Sequence, residues 1–202
     1  MTVHHQPLAA FNWKSVAAEV TANGAAVLRN HLPPASCEPV AALYDQPEGF
    51  RSHVHMARHN FGKGEYRYFA YPLPSWLGEL RSEFYARLAP IANQWATDLS
   101  YERDFPSLHD EYIERCHAAE QRRPTPLLLR YVQGDYNCLH QDLYGAEWFP
   151  LQVIVLLNAP EQTAHVCVLG KVRLQTLGPR LQFADLLLEL GQLGRSGRTF
   201  RD

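Results

Sequence analysis

The sequence predicts an α+β fold in which helices lead and strands follow. Three observations carry this. Helical spacing of apolar residues dominates the first half, above all from Trp76 to Leu99. After about Leu127 the pattern changes to short apolar runs closed by turn residues. No internal repeat or low-complexity linker divides the 202 residues, so one domain spanning 1–202 is expected.

The elements follow in order. Trp13 to Ala22 reads as a helix with Trp13, Val16, Ala17 and Val20 on one face, stopped by Asn23-Gly24. Ala25 to Leu28 reads as a strand ended by Pro33-Pro34, and Pro34 to Tyr44 as a helix that opens with proline. The stretch from Phe50 to Tyr71 is rich in aromatic, basic and histidine residues. Its turn at Phe61–Glu65 precedes a β-prone run, Tyr66–Tyr71. Trp76 to Leu99 aligns Leu77, Leu80, Phe84, Leu88, Ile91, Ala92 and Trp95, with Pro90 expected to kink or split the helix. A further helix is predicted over Leu108 to Ala119. Strands are then predicted at Leu127–Val132, Tyr136–Leu143 and Phe149–Leu157. Leu181 to Leu193 reads as a helix and Gly194 to Asp202 as disordered.

Composition excludes several functions. The net charge of -2 gives no sign of a surface built to neutralise phosphates, so no nucleic-acid partner is expected. The four cysteines, Cys37, Cys116, Cys138 and Cys167, form no CxxC pair, which argues against a zinc ribbon. The N-terminal residues lack the pattern of a signal peptide, and no apolar run spans a membrane, so no membrane partner and a cytoplasmic location are expected. Neither a phosphate-cradling glycine loop nor a GxSxG elbow occurs. Cys138 has no visible base to make it a nucleophile.

The residues that carry chemistry are His140 and Asp142. Two apart on an extended chain, they project to one side, so an imidazole nitrogen and a carboxylate oxygen can share a metal. With a second histidine from a distant strand they would form the two-histidine, one-carboxylate facial set of non-haem Fe(II) oxygenases. A separate histidine group, His53, His55 and His59, reads as substrate-facing or solvated. A cupin-like metal module from His53, His55 and His140 stays open as an alternative.

Around this pair the sequence resembles a known family. The run Leu127–Gly145 followed by Phe149–Val153 is similar to bacterial 2-oxoglutarate Fe(II) oxygenases related to prolyl 4-hydroxylases. So are Met56–His59, Phe61-Gly62, Gly64–Tyr66, Tyr68–Pro74, Cys116–Ala119 and Arg123–Pro126, and the likeness covers about 11–160. The resemblance implies a double-stranded β-helix, jelly-roll-like, carrying N-terminal helices. It implies Fe(II) as cofactor, 2-oxoglutarate and dioxygen as cosubstrates, ascorbate as an accessory reductant, and succinate and carbon dioxide as products. His140 and Asp142 match the first two metal ligands. Tyr131 and Tyr136 fall at or near tyrosines whose phenols would donate to the cosubstrate carboxylate. Independently of the resemblance, Arg58 and His59 are expected to line the substrate entrance. The implied substrate is a peptide or amino-acid side chain.

From about Gln162 the sequence departs from that family. No Gly-Gly-Glu hairpin follows, His165 arrives too early for the distal ligand, and no arginine matches the one that binds 2-oxoglutarate. The atypical tail, 163–202, is expected to leave the β-helix incomplete and its sheet edges unpaired. Two functions therefore remain: a hydroxylating dioxygenase, or a truncated or frameshifted, inactive remnant that acts at most as a binding module.

Overall fold

The computed structural model describes residues 2–138 and 145–157, together with the backbone of three later strands. Helix α1 runs Trp13–Asn23. The Asn12 side chain accepts from the Ser15 N–H at its start, and Gly24 ends it at φ 76°. Strand β1, Ala25–Leu32, and helix α2, Pro34–Ala42, follow. Next come β2 (Phe50–His55), a tight turn at Met56–His59, β3 (Gly62–Lys63) and β4 (Glu65–Phe69). Helices α3 (Ser75–Asp98) and α4 (His109–Ala118) separate these from β5 (Arg123–Pro124), β6 (Leu127–Arg130), β7 (Tyr136–Asn137) and β8 (Leu151–Leu156). The later strands are β9 (Ala164–Gly170), β10 (Asp185–Glu189) and β11 (Gln192–Leu193).

Pro90 does not split α3, which continues through it. The proline lies on the exposed side, as does Ala86, whose carbonyl loses its intrahelical partner and can turn to water. Leu88, Ala89, Ile91 and Ala92, on either side of the proline, are all buried and hold the helix on the core.

The described strands form one seven-stranded antiparallel sheet, ordered β1-β9-β8-β10-β6-β4-β2, and two small sheets, β3 with β7 and β5 with β11. Along β8 the side chains alternate. Leu151, Val153 and Val155 join the main core with Leu77, Leu80, Phe84 and Leu88 of α3. Ile154 and Leu156 face the other side, with Leu127, Leu129, Tyr66 and Tyr68. The fold is thus mixed α and β, with four α-helices and antiparallel sheets among the described residues.

Two expectations for the C-terminal part change. The helix predicted over Leu181–Leu193 is instead strand at Asp185–Glu189, slotted between β6 and β8. A run of leucines suits either structure, and sheet pairing decides. Among the described residues the edges expected to stay unpaired after β8 carry partners: β9 pairs with both β1 and β8. The predicted disorder at 194–202 lies outside the described residues.

Candidate metal centre and oxygenase site

His53 and His55 are two apart on β2, so both imidazoles leave the same face of the strand. The β2–β4 register sets Glu65 directly opposite His55, and the β4–β6 register sets Arg130 opposite Glu65. Side chains on three neighbouring strands therefore converge. Glu65 Oε2 lies 2.5 Å from His53 Nε2 and 3.7 Å from His55 Nδ1. Its other oxygen accepts from Nε and Nη2 of Arg130. Arg130 also donates to Asp45 at 3.1 Å and stacks on the Tyr44 ring at 4.3 Å.

The electrostatics follow from these contacts. Burial alone would push the Glu65 carboxyl up, but hydrogen bonds from Arg130 and His53, with their charges, hold it below the usual carboxylate range. Burial first, then the Glu65 charge, raises the Tyr44 phenol to about 12, so it remains a donor. His53, His55 and Glu65 are the group of three among the described residues whose ligand atoms come close enough to hold a metal. The sequence reading favours a substrate-facing or solvated role for these histidines, with a cupin-like metal module of His53, His55 and His140 as the alternative. The H-x-H spacing was visible, but its carboxylate partner depends on the β2–β4 register, which the spacing does not reveal.

His140 and Asp142 themselves lie outside the described residues, but their flanks are well held. The chain enters from β7, whose Tyr136 pairs with Lys63 and whose Asn137 pairs with Gly62. The Cys138 N–H then donates to the Phe61 carbonyl at 2.8 Å. That course carries the chain toward the Met56–His59 turn, where Arg58 and His59 are exposed and His59 stacks on Phe61 at 5.4 Å. On the far side, the Glu147 backbone is bound through both its N–H and its carbonyl by the Gln121 side chain.

The two tyrosines differ. Tyr131 is buried, and its ring lies against Gly64, where an added Cβ would meet it at 2.7 Å. Tyr136 is 53% exposed on the margin strand β7, so it is not a core residue. Gly64 therefore faces Tyr131, while the next residue, Glu65, faces the histidines.

Residues 64–182 match a family described as an oxygenase catalysing oxidative methylation of damaged DNA. The match covers more than half of the chain. The chain belongs to this oxygenase family. The match begins after His53 and His55, contains His140 and Asp142, and runs past Gln162. Two uncharacterised proteins of Mycobacterium tuberculosis, from strains CDC 1551 / Oshkosh and H37Rv, are each 44% identical over 124 residues. That region is 61% of this chain and 52% of each relative, so the chain spans about half the length of the curated relatives it matches. No solved structure matches it.

The family shown is an oxygenase family, and its description does not name prolyl hydroxylation. It also overturns the expectation of no nucleic-acid partner, because it names damaged DNA. That expectation rested on net charge, which averages over the whole surface. Locally, two exposed cations, Arg58 in the turn after β2 and Lys63 on β3, lie close together in the chain. Among the described residues no helix is long and apolar enough to cross a membrane.

Proposed function

We propose that the chain is an Fe(II)- and 2-oxoglutarate-dependent oxygenase built on a double-stranded β-helix, with the seven-stranded sheet as its larger half. The observation that carries this is where His140 and Asp142 fall in the sequence. They fall within the family-matched segment, on a connection anchored at Phe61 before it and at Gln121 after it. An imidazole and a carboxylate are donors that Fe(II) accepts, and His140 and Asp142 would hold it. Fe(II), when bound, supplies the centre where dioxygen oxidises the substrate as 2-oxoglutarate is decarboxylated to succinate and carbon dioxide.

The chain's own groups do the rest. Tyr131, buried against Gly64, would donate a hydrogen bond from its phenol to a cosubstrate carboxylate. Tyr136, at the exposed margin, would close the same site from outside. The Arg58 guanidinium would meet an anionic group of the substrate, and the His59–Phe61 pair offers a flat surface for a planar one. A damaged base in single-stranded DNA has both features, and the family description favours it.

The test is succinate release by the full chain, reconstituted anaerobically with Fe(II) and ascorbate and then given oxygen and 2-oxoglutarate. Release that depends on 2-oxoglutarate and is abolished in His140→Ala and Asp142→Ala is expected. A folded chain that releases none is the inactive remnant, and the proposal falls. Methylated oligonucleotides should stimulate release. Stimulation by peptides or free amino acids alone would overturn the DNA assignment and leave the oxygenase intact.

A further inference from the structure

We propose that His53, His55 and Glu65 form a second metal site, separate from the oxygenase centre, that takes a borderline divalent ion of the Zn(II) class. Two imidazoles and one carboxylate are a donor set that such ions bind, with a fourth position left to water. Bonds of roughly 2.0–2.2 Å at tetrahedral angles put donor atoms about 3.3 Å apart. The pairs at 2.5 Å and 3.7 Å bracket that separation, and all three donor atoms lie within 4.8 Å of one another. Small side-chain rotations reach it without moving the strands.

The surroundings support a built site rather than a chance meeting. The three donors stand on paired strands whose register fixes their spacing. Arg130 engages the outer oxygen of Glu65 and leaves Oε2 aimed at the histidines, the kind of outer-shell contact that orients a ligating carboxylate. The Tyr44 hydroxyl, 3.4 Å from His53 Nε2, stands beside the cluster as a donor to a bound water. His55 is half-exposed, so the ion has a route in and an open side.

One observation separates this site from the tyrosine assigned above to the cosubstrate. Gly64 turns toward Tyr131 while Glu65 turns away from it, so the histidine cluster and the cosubstrate tyrosine occupy opposite sides of the chain. The ion would cross-link edge strand β2 to β4, and its open position would accept water or an anionic group.

The experiment uses the full chain carrying His140→Ala and Asp142→Ala, stripped with chelator and titrated with Zn(II) by calorimetry and with Co(II) by visible absorption. One equivalent bound is expected, with affinity at least tenfold weaker when His55→Ala or Glu65→Gln is added. Circular dichroism checks that each variant is folded. If a variant does not fold, His55→Gln replaces it, since that side chain is half-exposed. Absence of binding, or binding unchanged by these substitutions, overturns the proposal and identifies the cluster as a hydrogen-bonded ion pair only. Neither result touches the succinate assay, so the two proposals fail separately.

Discussion

The Gln121 side chain replaces a strand neighbour for Glu147: its Nε2 donates to the Glu147 carbonyl at 2.7 Å and its Oε1 accepts from the Glu147 N–H at 2.7 Å. Gln121 is 1% exposed, so its end of both bonds is shielded from water. Arg103 holds the same segment from its other side, bonding the Ala146 carbonyl and the Glu147 carboxylate. The connection that carries His140 and Asp142 is thereby tied down where it rejoins the core.

Gln121→Ala should therefore destabilise the protein by about 1–3 kcal/mol, because two half-buried backbone groups of Glu147 lose their partner. Urea midpoints measure this. Gln121→Glu keeps the acceptor but sets a carboxylate oxygen against the Glu147 carbonyl and buries a charge, so it should cost at least as much. If the oxygenase reading is right, both variants should also release less succinate at temperatures where they remain folded. Unchanged turnover in folded Gln121→Ala would show that this anchor does not position the loop.

Gly64 offers a sharper comparison. It has φ +136°, and a Cβ there would meet the Tyr131 ring at 2.7 Å. Gly134 has φ +88° with nothing within 4 Å of its would-be Cβ. Gly134→Ala thus reports backbone strain alone, about 1–2 kcal/mol. Gly64→Ala adds a collision with an aromatic ring. It should cost more than Gly134→Ala in denaturant and should raise the KM for 2-oxoglutarate several-fold by displacing Tyr131. Equal costs with an unaltered KM would mean that Tyr131 has no part in cosubstrate binding.

Much of this architecture was legible in the sequence, and its failures share a cause. Local signals placed α1, α3 and α4, because caps and helical spacing are properties of neighbouring residues. Strand β1 was read only to Leu28, although it continues to Leu32, because Arg29 and Asn30 interrupt the apolar run. The strand at Asp185–Glu189 was misread because its partners lie about 30 and 60 residues upstream. The same holds for the site. His140 and Asp142 are two apart, so spacing alone singles them out, and they lie outside the described residues. Glu65 meets His53 only through the β2–β4 register, and no spacing rule connects residues 53 and 65.

Phe149 tests the aromatic packing behind β8. Its ring centroid lies 5.3 Å from Tyr85, 5.8 Å from Tyr112 and 5.0 Å from Phe105, and it is 1% exposed. Phe149→Ala removes all three contacts and leaves a cavity, which should cost about 3–5 kcal/mol. Phe149→Leu should cost less because it keeps most of the volume. Thermal or urea unfolding measures both, and a loss below about 1 kcal/mol in the alanine variant would contradict this packing.

His31 makes stability depend on pH. Its side chain is fully buried, with its ring centroid 5.4 Å from that of Phe84, 5.8 Å from that of Phe11 and 5.1 Å from that of His5. Burial, then the nearby His5 charge, lowers its pKa to about 4, with the Gln6 backbone opposing weakly. The unfolded chain takes up this proton near pH 6.5, well before the folded one does. Between pH 6.5 and 4 the unfolded state thus binds more protons, and stability must rise with pH across that window. The His31 contribution is fully favourable above about pH 6.5 and falls by roughly 3 kcal/mol as the pH drops to 4. Urea midpoints measured from pH 4 to 8 should show this slope, and His31→Leu should flatten it, whatever its effect on absolute stability. A slope that persists unchanged in His31→Leu would assign the acid sensitivity to other groups.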